Sequence, residues 1–228
     1  MALSRPIGSE VRRARGRLAS RLVRIAAPAV ALVALATACL PAFRGPSGGP
    51  RSVLFGDSLL FTADYDGKID PAFDAVGWQR SVVSGIGVSV SDHRALIGEA
   101  PNVSPKAVLL AHGTTEANRA VGAGINAGAS MAKSRSDLVG AVDALAAVPC
   151  VILVNVNQHG GTPAFNDQAA AYNLAILVLD VQRANVRALD WNGLSIGHPD
   201  WFADDGVHFT AAGDIAYATA LAGAVAAC

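Results

Sequence analysis

Short apolar runs that alternate with longer helix-like stretches are the feature of this sequence that most constrains its fold. Each apolar run is bounded by turn-forming residues, and five of them are predicted to be strands, at 52–55, 81–83, 107–111, 151–156 and 186–190. The helix-like stretches lie at 91–99, 129–147, 167–184 and 211–227. Alternation of this kind is typical of an α/β domain built on a parallel sheet. We expect one such domain, with the glycine-rich stretch 122–128 as a mobile loop.

The first 38 residues have the parts of a secretory signal. Seven arginines and one glutamate give them a net charge of +6, and the arginines precede an uncharged apolar run at 25–38. This run is shorter than the ~20 residues of a membrane-spanning helix, so we expect a cleaved signal, with an uncleaved anchor as the alternative. Ala36-Thr37-Ala38 offers a cleavage site, and Cys39 directly after it suggests a lipoprotein whose first residue is an acylated Cys39. Processing at this point predicts a protein that is secreted, or anchored by Cys39 to the outer face of the cell membrane.

The composition of the chain excludes two classes of protein. Hydrophobic residues make up 52% of the 228, which is too many for a disordered tail. Residues 39–228 carry a net charge of −6, so they do not attract polyanions, and we expect no nucleic-acid partner. Residues 39–50 are rich in Pro, Gly and Ser and are predicted to be a flexible tether, which leaves 51–228 as the folded domain.

Two short motifs carry candidate catalytic residues. In an open parallel sheet, ligands bind at the carboxyl ends of the strands. The first strand runs directly into Gly56-Asp57-Ser58, which places a serine at the head of the next helix, where free amides can stabilise an oxyanion. Near the other end of the chain, Asp205 precedes His208 by three residues, a spacing that lets the carboxylate orient the imidazole ring. The two motifs together indicate a serine nucleophile that a histidine activates.

These segments resemble the SGNH/GDSL hydrolase superfamily. VLFGDSLL at 53–60 resembles its first block and DDGVHFTAAGDIAYA at 204–218 its last, while LDWNGLSIGHPDWFADDGVH is similar to the SGNH domains attached to cell-wall O-acetyltransferases. The resemblance covers residues 51–227 and implies a flavodoxin-like three-layer α/β/α sandwich with a mostly parallel five-stranded sheet. It also implies Ser58 as the nucleophile, His208 as the general base and Asp205 as its partner, with no metal or organic cofactor.

The same resemblance implies an oxyanion hole made largely of backbone amides. Ser58 supplies one amide, and a glycine of the second block supplies another. Here VVSGIGVSVSD offers Gly85 or Gly87 for that block, and we favour Gly87 because it lies further beyond the strand. The alternative for either glycine is a tight turn with no part in the chemistry.

The third block is where this chain departs from the family pattern. The family reads G-x-N-D there, and Gly113-Thr114-Thr115-Glu116 places Thr115 at the asparagine position. A threonine hydroxyl is a shorter donor than an asparagine amide, and the loss of one oxyanion donor typically lowers kcat by ~10²–10³-fold. Asn118 and Asn157 are alternative donors.

Other motifs are given structural interpretations. Gly193-Leu194-Ser195-Ile196-Gly197 matches G-x-S-x-G, but that elbow needs a following helix, which Pro199 blocks. His159-Gly160-Gly161 is interpreted as a turn. His93, His112 and His198 lack the spacing of metal ligands. We expect structural or solvent-facing roles for His93 and His198, whereas His112 follows a strand and is an alternative site residue.

Cys150 and Cys228 either pair or remain as two thiols. The last helix leaves the catalytic edge after His208, so it descends toward the amino ends of the strands, where Cys150 precedes the fourth strand. Export would place both residues in an oxidising compartment that permits a disulfide, provided that its geometry can be met.

The sequence as a whole predicts a secreted, monomeric serine esterase that hydrolyses a carboxylic ester. The resemblance implies a small-molecule or cell-envelope substrate, with a small acyl group on a carbohydrate or a lipid. An O-acyltransferase with the same triad is an alternative, because both reactions share every residue up to the second step. A non-catalytic cell-surface binding protein with the same fold is another, and Thr115 is its main argument.

Overall fold

The computed structural model describes residues 39–228, and the predicted signal at 1–38 lies outside the described residues. All five expected strands are present in residues 39–228: β1 (Arg51–Gly56), β2 (Gln79–Ser84), β3 (Ala107–Ala111), β4 (Cys150–Val154) and β5 (Val186–Leu189). The α-helices are α1 (Ser58–Tyr65), α2 (Ile69–Ala75), α3 (Arg94–Glu99), α4 (Thr114–Gly122), α5 (Ala127–Ala144), α6 (Pro163–Gln182), α7 (Trp191–Leu194) and α8 (Ala211–Ala226). Short 3₁₀ turns lie at Ala100–Val103, Gly124–Asn126 and Pro199–Trp201. No helix in the described part of the chain is both long enough and apolar enough to cross a membrane.

The five strands form one sheet in the order β2-β1-β3-β4-β5, and every neighbouring pair is parallel. This is the strand order of flavodoxin-like folds, so the predicted fold class is confirmed, with a sheet that is wholly rather than mostly parallel. Parallel strands need crossover helices, which cover both faces of the sheet and bury the strands from both sides. The uninterrupted apolar sequence of β3, which is buried at all five positions, follows from its central place.

Successive residues of each strand point to opposite faces of the sheet, and each face has its own hydrophobic core. Phe55 of β1 packs on one face, in a core that includes Ile97 of α3 and Ile176 of α6. Leu54, its neighbour in β1, points to the other face, where it joins the core that includes Leu221 of α8. This period-two division of each strand produces the three-layer α/β/α sandwich that the sequence predicted.

Three helices, α2, α4 and α7, were not expected, and the predicted mobile loop at 122–128 is wrong. Helix α4 continues to Gly122, a 3₁₀ turn spans Gly124–Asn126, and α5 begins at Ala127. Glycine lowers helix propensity by about 1 kcal/mol relative to alanine, which is why the stretch resembles a loop in the sequence. Packing of α4 and α5 against each other and on the sheet outweighs that propensity.

Residues 41–50 correct a second expectation, because they lie against the edge strand β2 instead of forming a free tether. Arg44 exchanges two backbone hydrogen bonds with Arg80 of β2, at 2.8 and 2.9 Å, in an antiparallel bridge. The guanidinium of Arg44 also pairs with Asp64 at 2.6 Å and with Asp70 at 3.3 Å. An edge strand presents unpaired backbone groups, and this segment satisfies some of them.

Cys150 and Cys228 form a disulfide with their Cα atoms 6.0 Å apart, which confirms the paired alternative. Cys150 opens β4 at the amino edge of the sheet, and Cys228 lies two residues beyond the end of α8. The bond therefore ties the end of the last helix to the edge opposite the candidate catalytic residues.

Replacing Cys228 with serine is expected to lower the free energy of unfolding by about 2–4 kcal/mol, because the bridge restricts the unfolded chain. The two cysteines are 78 residues apart, so the closed loop is long. Cys228 is the better position for the test, since its side chain is exposed whereas Cys150 packs in a hydrophobic core. Chemical denaturation without reductant measures the difference, and the same comparison in reductant is the matched control, because the bond is absent from both proteins there. Equal stability of wild type and Cys228→Ser would contradict the prediction.

Candidate active site

Three strands end side by side at one edge of the sheet. Gly56, the last residue of β1, pairs with Ser84 of β2 on one side and with Ala111 of β3 on the other. The segments that follow these strands carry the predicted nucleophile, the preferred second-block glycine and the third-block threonine. The topology therefore gathers at one edge the residues that the sequence places in three separate blocks.

Ser58 opens α1 directly after β1. Asp57 is the N-cap of this helix, and its side chain accepts a hydrogen bond from the Leu59 amide at 3.1 Å. Gly56 permits the tight strand-to-helix turn, because a Cβ there would lie 2.6 Å from the Cβ of Leu60 and 3.0 Å from the carbonyl oxygen of Ala111. Any side chain at this position would push α1 away from the end of β1. The Gly-Asp-Ser sequence thus fixes the place of Ser58 at the sheet edge.

Asp57 also ties the β1 turn to the start of α4. Its Oδ2 accepts the amides of Thr114 at 3.1 Å and Thr115 at 3.4 Å. Burial raises the pKa of Asp57 to about 6, although the backbone hydrogen bonds of Leu59, Thr115 and Thr114 act to lower it. Asp57 therefore organises the surroundings of Ser58.

A chain of hydrogen bonds links Ser58 to Asp205. The hydroxyl of Ser58 lies 3.3 Å from Nε2 of His208, and Nδ1 of His208 lies 2.6 Å from Oδ2 of Asp205. Ser58 and His208 are 150 residues apart in the sequence. This geometry suits transfer of the hydroxyl proton to the imidazole, whose positive charge the carboxylate would then stabilise.

The loop between Asp205 and His208 holds the carboxylate in place. Oδ1 of Asp205 accepts the amides of Val207 and His208, both at 2.9 Å. Burial acts to raise the pKa of Asp205, but the hydrogen bonds from the His208 ring and from the two amides outweigh burial and lower that pKa. The carboxylate therefore keeps its charge beside the imidazole at neutral pH.

A pair of glycines anchors this loop to the segment after β4. Gly160 and Gly206 approach so closely that a Cβ on either residue would overlap the carbonyl oxygen of the other. Gly206 also has φ of +67°, and its carbonyl accepts a hydrogen bond from Nδ2 of Asn157 at 3.3 Å. Sequence reasoning missed this anchor, and the only signal for it was the glycine pair Gly160-Gly161, which had been interpreted as a turn.

No family model and no curated protein matches this sequence. Solved structures do match. The C-terminal catalytic domain of peptidoglycan O-acetyltransferase A from Streptococcus pneumoniae superposes with a TM-score of 0.54 at 22% identity, over 78% of this chain and 93% of that domain. An acetyl-xylooligosaccharide esterase from Geobacillus gives 0.61 at 17% identity, over 78% and 94%. A GDSL-like lipase from Bacteroides thetaiotaomicron gives 0.59 at 15% identity, over 77% and 87%. The chain has the SGNH/GDSL hydrolase fold.

Gly87 is the glycine that the sequence favours for the second block. It lies exposed in the loop after β2, and its φ of +70° favours glycine. Its amide makes no hydrogen bond within residues 39–228, whereas its carbonyl accepts one from Arg119. The amide is therefore available to a ligand, and the hydrogen bond from Arg119 to the carbonyl fixes the orientation of the residue.

The amide of Thr115 donates to Asp57, which leaves only its hydroxyl as a donor for a ligand. Of the alternative donors, Asn157 is engaged elsewhere: Nδ2 holds the Gly206 carbonyl, and Oδ1 accepts the amide of His159 at 2.9 Å. Asn118 is exposed on α4. One of the two N–H donors of Asn157 is thus used to hold the loop that carries His208.

The other candidate motifs of the sequence lie in structural positions. Ser195 is buried and donates to the carbonyl of Asn192 at 3.2 Å, and a helix rather than a strand precedes it, so the nucleophile elbow is absent there. Trp191, which lies just before that motif, is buried in a cluster of aromatic rings. His112 is buried with Nε2 3.0 Å from Nδ1 of His93, and burial lowers the pKa of His112 to about 3. His112 is therefore neutral and part of the interior.

The buried carboxyl of Glu116 makes the free energy of unfolding of the protein depend on pH. Burial raises its pKa to about 7 from the ordinary value of 4.5, against a backbone hydrogen bond from Val90 that lowers it, and the charge of Asp57 adds to the rise. Between these two pH values the folded protein keeps a proton that the unfolded chain has released, so this contribution to stability is full below pH 4.5 and is lost as the pH rises through 7.

Glu116→Gln is therefore expected to gain stability relative to wild type as the pH rises. The difference in unfolding free energy should move in favour of the variant by on the order of 1–3 kcal/mol between pH 4.5 and pH 8. Denaturation curves at a series of pH values measure it. Glu99→Gln, which changes an exposed carboxyl, is the control and should give a profile parallel to that of wild type. A parallel profile for Glu116→Gln would contradict the prediction.

Proposed function

We propose that this protein is a serine hydrolase that cleaves a carboxylic ester through an acyl-serine intermediate. The observation that carries the proposal is the hydrogen-bonded series Ser58, His208 and Asp205 at the carboxyl edge of the sheet. In the first step Ser58 Oγ attacks the ester carbonyl while its proton passes to Nε2 of His208, and Asp205 stabilises the imidazolium. The proton then passes to the departing alcohol, which leaves the acyl group on Ser58.

In the second step a water molecule attacks the acyl-serine. His208 takes one proton of the water as the new bond to carbon forms, and returns it to Ser58 Oγ as the acid leaves. In both steps we propose that the amides of Ser58 and Gly87 and the hydroxyl of Thr115 donate to the oxyanion. Two backbone donors and one rotatable hydroxyl make up this proposed set.

We propose a short acyl group on a carbohydrate as the substrate class. Two of the structures that share this fold are, by name, an acetyl-xylooligosaccharide esterase and a peptidoglycan O-acetyltransferase domain, and both names join an acetyl group to a carbohydrate. The GDSL-like lipase supports a lipid ester as the alternative. The open, half-exposed position of His208 suits a large leaving group that stays outside the protein.

Acyl transfer is the second candidate reaction, and the 22% identity with the O-acetyltransferase domain favours it. In that reaction a sugar hydroxyl replaces water in the second step, and His208 deprotonates the sugar instead. The residues of the first step are the same in both reactions, so the two are separated only by the fate of the acyl group.

The experiment is hydrolysis of p-nitrophenyl esters from acetate to octanoate by the full chain, followed by an acetylated xylo-oligosaccharide with an unacetylated acceptor present. We expect turnover that is fastest with acetate, and mass spectrometry of the products distinguishes free acetate from transferred acetate. A folded protein that turns over none of these esters would contradict the proposal and favour a binding protein.

We propose that this reaction takes place outside the cell membrane. The basic and apolar composition of residues 1–38 and the position of Cys39 directly after Ala36-Thr37-Ala38 support export and lipid anchoring. The mass of the N-terminal peptide of the exported protein tests this: an acylated Cys39 supports anchoring, and an intact residue 1 contradicts export by cleavage.

A further inference from the structure

The loop that carries Gly87 begins beside the proposed nucleophile. Residues 85–92 follow β2, whose last residue, Ser84, pairs with Gly56, and Gly56 is two positions before Ser58. A shift in this loop would move the Gly87 amide relative to Ser58 without changing the triad. What holds the loop is therefore relevant to the oxyanion hole.

Arg119 of α4 contacts the loop at three points. Its guanidinium donates to the carbonyl of Gly87 at 2.8 Å, to the hydroxyl of Ser89 at 2.8 Å and to Oδ2 of Asp92 at 3.0 Å. The same Asp92 oxygen accepts the amide and the hydroxyl of Ser89, both at 2.8 Å. A planar guanidinium with several fixed donors can define the position of such a loop, whereas a lysine ammonium cannot match all three contacts.

Glu116, three residues before Arg119 on α4, holds the same loop from inside. Its Oε1 accepts the amide of Val90 at 2.7 Å, and its side chain is buried. Its Oε2 has no hydrogen-bond partner among the described residues, so burial of this carboxyl costs free energy that an apolar side chain would not cost. What the carboxyl provides in return is an acceptor for a buried amide of the loop.

The start of α4 is in turn fixed to the nucleophile turn, because Asp57 accepts the amides of Thr114 and Thr115. One short helix is thus bonded to the residue before Ser58 at its first turn and to the Gly87 loop through Glu116 and Arg119. We propose that Glu116 and Arg119 are positioning residues, which hold the Gly87 amide at a fixed place relative to Ser58 for stabilisation of the oxyanion.

This proposal rests on the proposed function and explains how the site works with Thr115 in the asparagine position. The Thr115 hydroxyl rotates, so a larger share of the oxyanion stabilisation falls on the backbone donors, whose value depends on their preorganisation. Loss of that preorganisation lowers kcat, whereas KM for a small ester changes little, because the oxyanion forms only after binding.

The test compares Arg119→Met, Arg119→Lys, Glu116→Met and Glu116→Gln with wild type in steady-state hydrolysis of p-nitrophenyl acetate. For Arg119→Met and Glu116→Met we expect kcat to fall by about 10–100-fold with KM within about threefold of wild type. Arg119→Lys should be intermediate. Glu116→Gln, which keeps the oxygen acceptor for the Val90 amide, should restore most of the activity. Lys133→Met, which removes an exposed ion pair with Asp137, is the control and should leave kcat unchanged.

Hydrogen exchange of the 85–92 amides in the same variants separates this proposal from the proposed function. We expect faster exchange of these amides in Arg119→Met, with thermal melting still cooperative. Unchanged exchange and unchanged kcat in a folded Arg119→Met would overturn the proposal, and so would a rise in KM at constant kcat. If wild type hydrolysed no ester while Arg119→Met still loosened the loop, the proposed function would fail and the positioning of the loop would stand.

Discussion

Ser58→Ala is expected to lower kcat for p-nitrophenyl acetate by about 10⁴-fold or more, because the variant has no oxygen to form the acyl-enzyme. The hydroxyl that it removes lies 3.3 Å from Nε2 of His208. Steady-state kinetics with the full chain measure the loss. Since nucleophile and base act as one unit, His208→Ala should cost a similar factor, and the double variant should lose little more than either single variant.

The matched control for this loss is Ser195→Ala. Ser195 belongs to the G-x-S-x-G sequence, yet it is buried and bonded to the carbonyl of Asn192. We expect its replacement to leave kcat within about twofold of wild type, because no oxygen of the proposed mechanism is lost. Retained activity in Ser58→Ala, or its loss in a folded Ser195→Ala, would mean that the nucleophile has been misassigned.

Gly160→Ala should lower kcat by about 100-fold, although residue 160 belongs to none of the proposed catalytic groups. A Cβ on Gly160 would overlap the carbonyl oxygen of Gly206, which lies between Asp205 and His208. Neither backbone can move freely, because Asn157 bonds the same carbonyl. The loop must therefore shift, and a shift of about 1 Å in a reacting group is enough for such a loss.

Gly98→Ala is the control for Gly160→Ala. Gly98 lies in α3, and a Cβ there would meet no atom within 4 Å, so activity should be unchanged and stability equal or slightly higher. Thermal melting of both variants shows whether each is folded. Wild-type kinetics in Gly160→Ala would show that the close approach of Gly160 and Gly206 is not needed to position the triad.

The sheet and its edge were predictable because both depend on local patterns. Five apolar runs of strand length specify the strands, and rules of parallel topology place Ser58 at a carboxyl end. The approach of His208 to Ser58 was inferred from the combination of two motifs and from the family resemblance, since no local pattern relates residues 150 positions apart. The direction of α8 made the Cys150–Cys228 bond one of two alternatives, and the structure decides in its favour.

The contacts around α4 could not be predicted in the same way. Thr114 and Thr115 are weak helix formers, and the helix begins there because a distant carboxylate, Asp57, accepts their amides. Glu116 and Arg119 contact a loop about 30 residues earlier in the chain, and their sequence has no motif that marks it. Tertiary contacts of this kind determine helix boundaries and loop positions, and they can override local helix propensity.

The contact of residues 41–50 with β2 could not be predicted from the sequence for a different reason. Pro, Gly and Ser give the segment the composition of a linker, but composition carries no information about a free sheet edge nearby. Arg44 meets such an edge at Arg80, and two acidic side chains, Asp64 and Asp70, lie within reach of its guanidinium. An edge strand in a predicted sheet is thus a reason to expect that a flanking segment pairs with it.

The measurement that tests the central claim most directly is the location of a covalent adduct after reaction of the full chain with methanesulfonyl fluoride. Such a reagent sulfonylates a serine hydroxyl that a nearby base activates, whether or not the natural ester is known. Peptide mass spectrometry after tryptic digestion should place one methylsulfonyl group on the peptide 52–68, and fragmentation should assign it to Ser58 rather than Ser52. The adduct should be absent from His208→Ala. Modification at another serine, or equal labelling of wild type and His208→Ala, would contradict the assignment of Ser58 as the nucleophile.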